Sequence, residues 1–172
     1  MSTIPHLGFA AFSGTGKTTL LRKLINHFNV NGVRVAVIKH AHHNFDTDVP
    51  GKDSYELRKA GASELIISSG RRRVHFHEIA NDENEASLET LLTLPDPTRI
   101  DLILVEGFKR ASIPKIELHR PSLGQPLLAT DDVDIIAVAA DERLTPPRRL
   151  PWLDLNDVES IATFIRTRLT QC

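Results

Sequence analysis

The chain has 172 residues, of which 21 are lysine or arginine and 22 are aspartate or glutamate, so its formal net charge is only −1. A chain of this length can bury a full core as one domain, and its charge provides no global field to concentrate nucleic acid or anionic lipid. The longest apolar runs, such as residues 135–140, fall far short of the ~20 residues of a membrane-spanning helix, and the single cysteine, Cys172, has no disulfide partner. We therefore expect a soluble, cytoplasmic protein that binds neither nucleic acid nor a membrane.

Apolar segments with strand-like and helix-like periods alternate along the chain, which is typical of an α/β domain. Residues 7–12 predict a short strand buried on both faces, and an amphipathic helix follows that is expected to end at Asn31 and Gly32. Later elements are predicted strands near 33–38, 64–68, 73–76, 100–105 and 134–140, and predicted helices near 53–60, 85–92 and 158–169. This order predicts one P-loop NTPase-type domain over residues 1–172, with a mainly parallel sheet flanked by helices.

Residues 109–132 fit this alternation less well. Between Pro114 and Pro121, polar and apolar residues alternate from Lys115 to Arg120. Such alternation indicates a strand with one solvent-exposed face. We therefore predict an inserted β-hairpin arm at about residues 109–132, an element that often serves dimerisation.

The turn after the first strand carries a phosphate-binding pattern. Residues 11–18 match G-x-x-x-x-G-K-[ST], except that Ala11 replaces the first glycine. Backbone N–H groups in such a turn converge on an anion, and the dipole of the following helix also favours the anion. We predict that Lys17 reaches the β- and γ-phosphates, that the Thr18 hydroxyl ligates Mg²⁺ and that Thr19 contacts the α-phosphate. The predicted phosphate-binding residues are Ser13, Gly14, Thr15, Gly16, Lys17, Thr18 and Thr19.

A second acid on the metal side of the nucleotide is expected after a neighbouring strand. The segment 101–107 has one acid near each end, Asp101 and Glu106, which lie roughly 16 Å apart in an extended strand. Nucleotides bind at the carboxyl edge of a parallel sheet. We therefore assign the metal role to Glu106, acting through a water molecule, and a strand-start role to Asp101.

The loop after the second strand, residues 39–48, also leaves the carboxyl edge and is rich in polar side chains. Three interpretations of this loop are open: a solvated loop, a transition-metal site, or a mobile segment. In the third, Asp46 or Asp48 binds Mg²⁺, and Lys39 and the histidines bind an anionic second ligand. We favour the last interpretation, because the histidine spacing matches no closed zinc pattern and cysteine is absent from the loop. The candidates for binding the second ligand are Lys39, His40, His42 and His43.

One acid is a candidate for recognising the base. Asp141 follows the predicted strand at 134–140, where its carboxylate can accept hydrogen bonds from N1–H and the N2 amino group of guanine. Adenine offers no such pair of donors. Of the common guanine motif Asn-Lys-x-Asp only the acid is present, because residues 138–141 are Val-Ala-Ala-Asp. We therefore favour guanine, and hence GTP, with Asp141 as the residue that recognises it.

Several segments together resemble one family. They are residues 12–20 (Phe-Ser-Gly-Thr-Gly-Lys-Thr-Thr-Leu), 39–43 (Lys-His-Ala-His-His), 50–61 (Pro-Gly-Lys-Asp-Ser-Tyr-Glu-Leu-Arg-Lys-Ala-Gly) and 104–109 (Leu-Val-Glu-Gly-Phe-Lys). The sequence resembles the MobB family of molybdopterin-guanine dinucleotide biosynthesis adaptor proteins over nearly its whole length, and the likeness is weakest at residues 70–98.

The resemblance implies a homodimeric GTP-binding protein with weak GTPase activity. It also implies a partner, the guanylyltransferase that attaches GMP to molybdopterin, with GTP and Mg²⁺ as cofactors and molybdopterin as a further candidate ligand. No residue in the sequence stands out as the one that orients an attacking water. The catalytic residue is therefore unknown, and we expect slow hydrolysis.

Two other functions would use the same phosphate site. A small-molecule kinase would use Arg58 and the arginines at 71–73 as acceptor clamps or lid residues, and phosphorylation of a metabolite would support it. A metallochaperone GTPase would hold a metal through His40, His42 and His43. Tight binding of Ni²⁺ or Zn²⁺ would support that second alternative.

Overall fold

The computed structural model describes residues 4–41, 45–79, 86–146 and 148–169. These residues form two compact units, one made of the chain up to His40 together with the chain from Leu88 onward, and the other of the segment between Ala41 and Ser87. The prediction of one P-loop domain over residues 1–172 stays a prediction. The strands are β1 His6–Ala11, β2 Val35–Lys39, β3 Glu64–Ser68, β4 Arg73–His77, β5 Leu102–Glu106, β6 Lys115–His119, β7 Ile135–Ala140 and β8 Trp152–Asp154. The helices are α1 Lys17–Val30, α2 Asp53–Lys59, α3 Leu88–Leu91 and α4 Val158–Leu169.

The first unit is built on a six-stranded parallel sheet with the strand order β2-β5-β1-β6-β7-β8. Hydrophobic side chains cover both of its faces, because the strands alternate their side chains between the faces. One face carries α1 and α4, whose buried residues include Leu24, Phe28, Ile161 and Ile165. The other face packs Ile103 and Val105 of β5 against Leu88 and Leu92, in and next to α3. A mainly parallel sheet flanked by helices is the predicted fold class, which is thereby confirmed.

The prediction of an inserted β-hairpin arm at residues 109–132 is wrong. In the structure, β6 lies inside the sheet and runs parallel to both of its neighbours, β1 and β7. All five of its residues are buried, so the alternation of polar and apolar residues does not mark a solvent-exposed face. Among the described residues, β3 and β4 in the second unit form an antiparallel hairpin instead.

The polar residues of β6 are buried because each finds a partner. The Lys115 ammonium donates to the Ala111 carbonyl at 2.6 Å and lies 3.0 Å from the Asp132 carboxylate. The carboxylate of Glu117 accepts hydrogen bonds from the backbone N–H groups of Leu128 and Ala129, both at 2.8 Å. Burial raises the pKa of Glu117, and these two hydrogen bonds oppose that rise. The polar face of β6 is therefore a set of compensated internal contacts.

The substitution Glu117→Gln is expected to lower the free energy of unfolding by about 1–3 kcal/mol, because the amide can accept only one of the two backbone hydrogen bonds and leaves the other N–H unpaired. Urea denaturation followed by the fluorescence of Trp152, the only tryptophan, measures the change. Glu142→Gln is the control, since Glu142 is exposed and its replacement is expected to have little effect. Equal stability of Glu117→Gln and the wild type would contradict this account.

Sequence patterns placed the ends of some elements correctly and missed others. Asp101 does support a strand start: its carboxylate accepts hydrogen bonds from the backbone N–H and the guanidinium of Arg34, at 2.6 to 2.9 Å. The short strand β8 was not predicted. Asp157 precedes α4, and its side chain accepts a hydrogen bond from the backbone N–H of Ser160 at 3.0 Å, as a helix cap does.

The second unit consists of α2 and the hairpin of β3 and β4. The strands pair in the register Glu64 to His77 through Ser68 to Arg73, and Ser69 and Arg72 close the turn with a backbone hydrogen bond of 2.8 Å. The predicted positions of α2, β3 and β4 are confirmed to within one residue at each end. Across both units, no helix in the described ranges is long and apolar enough to span a bilayer.

Candidate functional site

The phosphate-binding turn connects β1 to α1 at the carboxyl edge of the sheet. Gly14 and Gly16 have positive φ angles of 83° and 92°, a conformation that favours glycine over residues with a side chain. The Thr15 hydroxyl donates to the Phe12 carbonyl at 2.9 Å, and this buried side chain holds the turn closed from within. The side chains of Ser13, Thr18 and Thr19 are exposed. The turn therefore has the shape and the polar surface that an anion site requires.

Lys17 begins α1 and is half-buried. Burial lowers the pKa of its ammonium, the carboxylate of Glu106 raises it, and the ammonium groups of Lys109 and Lys39 lower it further. Burial and two like charges thus disfavour the positive charge of Lys17, and one acid opposes them. An anion that arrived next to Lys17 would relieve this unfavourable electrostatic environment.

Glu106 ends β5, which lies between β1 and β2 in the sheet. It is opposite Phe9 of β1 and Lys39 of β2 in the strand register, and only 9% of its surface is exposed. The Lys39 ammonium lies 3.8 Å from its Oε2 atom. The parallel topology therefore places Glu106 at the carboxyl edge of the sheet, as the sequence predicted, while its role as a metal-side acid stays a prediction.

The residue after Glu106 explains how β2 and β5 come together at this edge. Gly107 has a φ of 94°, and a Cβ atom there would lie 2.9 Å from the Cβ of His40. The backbone N–H of His40 donates to the Glu106 carbonyl at 2.9 Å, and its ring lies 5.2 Å from that of Phe108. His40 is thus held beside Glu106 by backbone and ring contacts. His42 and His43, predicted with it as second-ligand residues, lie outside the described residues.

Arg120, directly after β6, is a site residue that the sequence patterns missed. Its Nε donates to the carbonyl of Thr15 in the phosphate turn at 2.9 Å, and its Nη1 donates to Oδ2 of Asp141 in a short hydrogen bond. The other oxygen of Asp141, Oδ1, is buried and has no hydrogen-bond partner among the described residues. Arg120 therefore ties the candidate base-recognising acid to the phosphate turn and leaves one acceptor of that acid unused.

Asp46, predicted as a magnesium ligand, belongs to the second unit. Its carboxylate pairs with Arg58 at 2.9 Å, and the same guanidinium contacts Asp48 and Glu78 and lies over the Phe76 ring, 4.4 Å from its centroid. Arg58, considered above as an acceptor clamp, is therefore held by three carboxylates and a ring within its own unit. The magnesium role of Asp46 stays a prediction.

The second unit is expected to lose stability in acid through Asp46. Its hydrogen bonds to Arg58 and to the backbone N–H of Asp48 lower its pKa from 3.8 to about 2. A carboxyl group with a depressed pKa stabilises the fold fully at pH values above its pKa in the unfolded state, 3.8. This contribution is lost as the pH falls through its folded-state pKa of about 2. The difference in unfolding midpoint between the wild type and Asp46→Asn should therefore be largest near neutral pH and shrink in acid.

Fluorescence of Tyr55, the only tyrosine, reports unfolding of α2 and so of this unit. Hydrogen bonds from Arg34 lower the pKa of Asp101 to about 2 as well. Because Asp101 is present in both proteins, it does not contribute to the difference between them. A difference that stays constant from neutral pH to about pH 2 would contradict the role of the Asp46 carboxylate.

The chain is similar to known proteins of one family. The sequence model of the family described as Molybdopterin guanine dinucleotide synthesis protein B (MobB) matches residues 6–141. The molybdopterin-guanine dinucleotide biosynthesis adapter protein of Escherichia coli K12 is 50% identical over 94% of this chain and 91% of its own length. The protein of the same name from Haemophilus influenzae is 43% identical over 96% of this chain and 90% of its own length.

The fold is also found in solved structures. A crystal structure of molybdopterin-guanine biosynthesis protein B superposes with a TM-score of 0.73 at 26% identity, over 95% of this chain and 99% of that one. A crystal structure of MobB from Bacillus subtilis gives a TM-score of 0.75 at 24% identity, over 96% of this chain and 98% of that one, and it supports the fold alone. From the family match and the curated relatives together, the chain belongs to the MobB family.

Proposed function

We propose that this chain is a GTP-binding accessory protein of molybdenum cofactor biosynthesis. In this role it assists the guanylyltransferase that converts molybdopterin to molybdopterin-guanine dinucleotide, and its own hydrolysis of GTP is weak. The pathway is proposed from the names of the relatives, which are molybdopterin-guanine dinucleotide biosynthesis adapter proteins. The proposal for nucleotide binding is carried by one observation, the glycine turn that closes on Lys17 beside Glu106.

The triphosphate occupies the turn at the start of α1. Backbone N–H groups after Gly14 and Gly16 donate to phosphate oxygens, and Lys17 supplies a positive charge to the β- and γ-phosphates. Because burial already disfavours the charge of Lys17, a bound phosphate changes its environment more than it would that of an exposed lysine. Thr19, exposed in the first turn of α1, is proposed to contact the α-phosphate.

The donors near this turn suit Mg²⁺. The Thr18 hydroxyl and the Glu106 carboxylate are both hard oxygen ligands, and Mg²⁺ prefers such ligands together with water and phosphate oxygens. Lys39 lies 3.8 Å from the same carboxylate, so a bound cation would compete with Lys39 for Glu106. When bound, the ion would neutralise charge on the phosphates, while Glu106 would orient its water shell. The magnesium role predicted for Asp46 is kept as a proposal about the second unit, where an ion would have to displace Arg58 from its carboxylate.

The base is recognised by Asp141. Its Oδ1 atom is a buried acceptor without a partner among the described residues, and in this account neighbouring side chains move so that a donor of the base reaches it. Guanine presents adjacent N–H donors at N1 and N2, and Arg120 holds the carboxylate so that it can meet them. In this account Arg120 joins the base-recognising acid to the phosphate turn through its hydrogen bonds to Asp141 and to the Thr15 carbonyl.

The remaining roles rest on the family. Lys39, His40, His42 and His43 are proposed to bind an anionic second ligand, for which molybdopterin is the candidate. We also propose a homodimer in the cytoplasm, which size-exclusion chromatography with light scattering would test. An accessory protein of this kind needs no fast hydrolysis, and no described side chain is assigned to orient an attacking water.

Calorimetric titration with GTP and with ATP, each with Mg²⁺, tests this proposal. GTP-selective binding, followed by faster product formation when the protein is added to the guanylyltransferase at limiting substrate, is the expected result. Equal or ATP-preferring binding would remove the guanine role of Asp141. Transfer of phosphate to a metabolite at ordinary enzymatic turnover would favour a small-molecule kinase instead.

A further inference from the structure

One face of the hairpin in the second unit carries two histidines and a glutamate, residue types that ligate metals in other proteins. Strand pairing places Glu64 directly opposite His77 and Ile66 opposite His75. Residues two apart on a strand point to the same side, so Glu64, His75 and His77 share one face. Phe76, which points to the opposite face, contacts the guanidinium of Arg58 from α2. The histidine face is therefore the outer face of the hairpin, and all three side chains are at least half exposed.

The ligand atoms already have the spacing of a metal site. Nε2 of His75 lies 3.3 Å from Oε2 of Glu64, and Nδ1 of His77 lies 3.0 Å from Oε1 of the same carboxylate. One atom from each residue lies within 4.8 Å of the others. Two ligands about 2.0–2.1 Å from a tetrahedral zinc ion stand ~3.3 Å apart, so little movement is needed to admit an ion between these atoms.

The chemistry of the three donors selects a class of ion. Two imidazole nitrogens and one carboxylate suit Zn²⁺ and its neighbours in the first transition series, whereas Mg²⁺ and Ca²⁺ prefer sites made wholly of oxygen. Three protein ligands leave a fourth position open to water or to a ligand from another molecule. The antiparallel strands hold the backbone of all three residues in place, which reduces the ordering that binding requires.

We propose that Glu64, His75 and His77 form a binding site for a first-row transition-metal dication, with Zn²⁺ as its test ion. This site is separate from the proposed magnesium position at the phosphate turn, and it uses none of the histidines of the loop after β2. It does not depend on GTP binding, so the nucleotide proposal and this one can fail independently. An open coordination position on an exposed hairpin would let the bound ion accept a further ligand.

Equilibrium dialysis of the full chain against Zn²⁺, without nucleotide and after treatment with a chelator, tests the site. We expect the wild type to bind one Zn²⁺ at this site, and we expect His75→Ala and His77→Ala each to weaken that binding by roughly tenfold or more, because each removes a ligand. Arg73→Ala is the matched control. Arg73 lies on the same strand and the same face but is not a ligand, so its removal should leave binding unchanged or slightly stronger.

A second control separates this site from the histidine loop. The double variant His42→Ala/His43→Ala should retain zinc binding. Histidine ring NMR spectra of the wild type then locate the ion without any substitution, and the signals of His75 and His77 should shift as Zn²⁺ is added. Failure of the wild type to bind Zn²⁺, unchanged binding when both His75 and His77 are replaced, or shifts confined to other histidines would overturn the proposal.

Discussion

Replacing Lys17 by alanine is expected to weaken triphosphate binding by roughly 100-fold, or about 3 kcal/mol, because it removes a partly buried charge from the phosphates. The substitution should not lower the thermal stability of the fold. Burial and the ammonium groups of Lys109 and Lys39 disfavour the positive charge of Lys17 in the free protein, with only Glu106 opposing them. The unfolding midpoint of Lys17→Ala should therefore equal or exceed that of the wild type.

The control for this prediction is Lys23→Ala, which removes an exposed lysine from the same helix. It should leave both affinity and stability close to those of the wild type. Calorimetry with GTP and Mg²⁺ measures affinity, and thermal unfolding followed by circular dichroism measures stability. Normal affinity in Lys17→Ala would show that residues 11–18 do not bind the phosphates. Equal losses of affinity in Lys17→Ala and Lys23→Ala would show that only the overall positive charge matters and that Lys17 makes no specific contact.

The sequence predicted the conformation of the glycine turn and the position of Glu106 at a strand end, because local rules govern both. A turn with glycines at 14 and 16 ahead of Lys17 leaves few conformations open, and the structure shows positive φ at both glycines. Glu106 follows from a topological rule, since the last residue of a parallel strand lies at the carboxyl edge wherever the strand sits in the sheet. Which edge each residue lies on does not depend on the strand order, whereas the closeness of Glu106 to Lys17 does, because β5 lies next to β1.

Arg120 could not be found in this way. Its importance comes from the strand order, because β6 lies between β1 and β7 and so brings the residue after it between the phosphate turn and Asp141. Nothing in the alternation of residues 115–120 indicates that order. A basic residue directly after a strand is a weak signal, and it becomes informative only when the residues at the ends of adjacent strands are known.

The misplaced hairpin has a related cause. Alternation of polar and apolar residues indicates a solvent-exposed face only when the polar side chains find no hydrogen-bonding or charged partners within the protein. In β6, the lysine finds Asp132 and the carboxylate of Glu117 finds two backbone N–H groups, so burial costs less than usual. Those partners lie 11 to 17 residues further along the chain. By contrast, β3 and β4 were located as strands, and the short connection between them contains Ser69 and Gly70, a turn signal that indicates the hairpin the structure shows.

Arg120→Ala is expected to lower GTP affinity by roughly 30-fold, or about 2 kcal/mol, because it breaks charge-assisted hydrogen bonds to Asp141 and to the phosphate turn. Asp141→Asn should mainly reduce the preference for GTP over ATP, since an amide can accept only one of the two guanine hydrogen bonds. Calorimetry with each nucleotide measures both effects. Arg143→Ala, which removes an exposed arginine from the loop after β7, is the control and should bind both nucleotides as the wild type does.

The double variant Arg120→Ala/Asp141→Asn tests whether Arg120 acts through Asp141. If it does, Arg120→Ala should cost less GTP affinity in the Asp141→Asn background than in the wild type, because the interaction it would break is already impaired. Residues joined by a short hydrogen bond should couple in this way, and ATP affinity should show little of the coupling because adenine makes no use of the acid. Strictly additive losses would assign Arg120 to the phosphate turn alone, through the Thr15 carbonyl. Unchanged discrimination between GTP and ATP in every variant would show that Asp141 and Arg120 form a structural pair and that the base is recognised elsewhere.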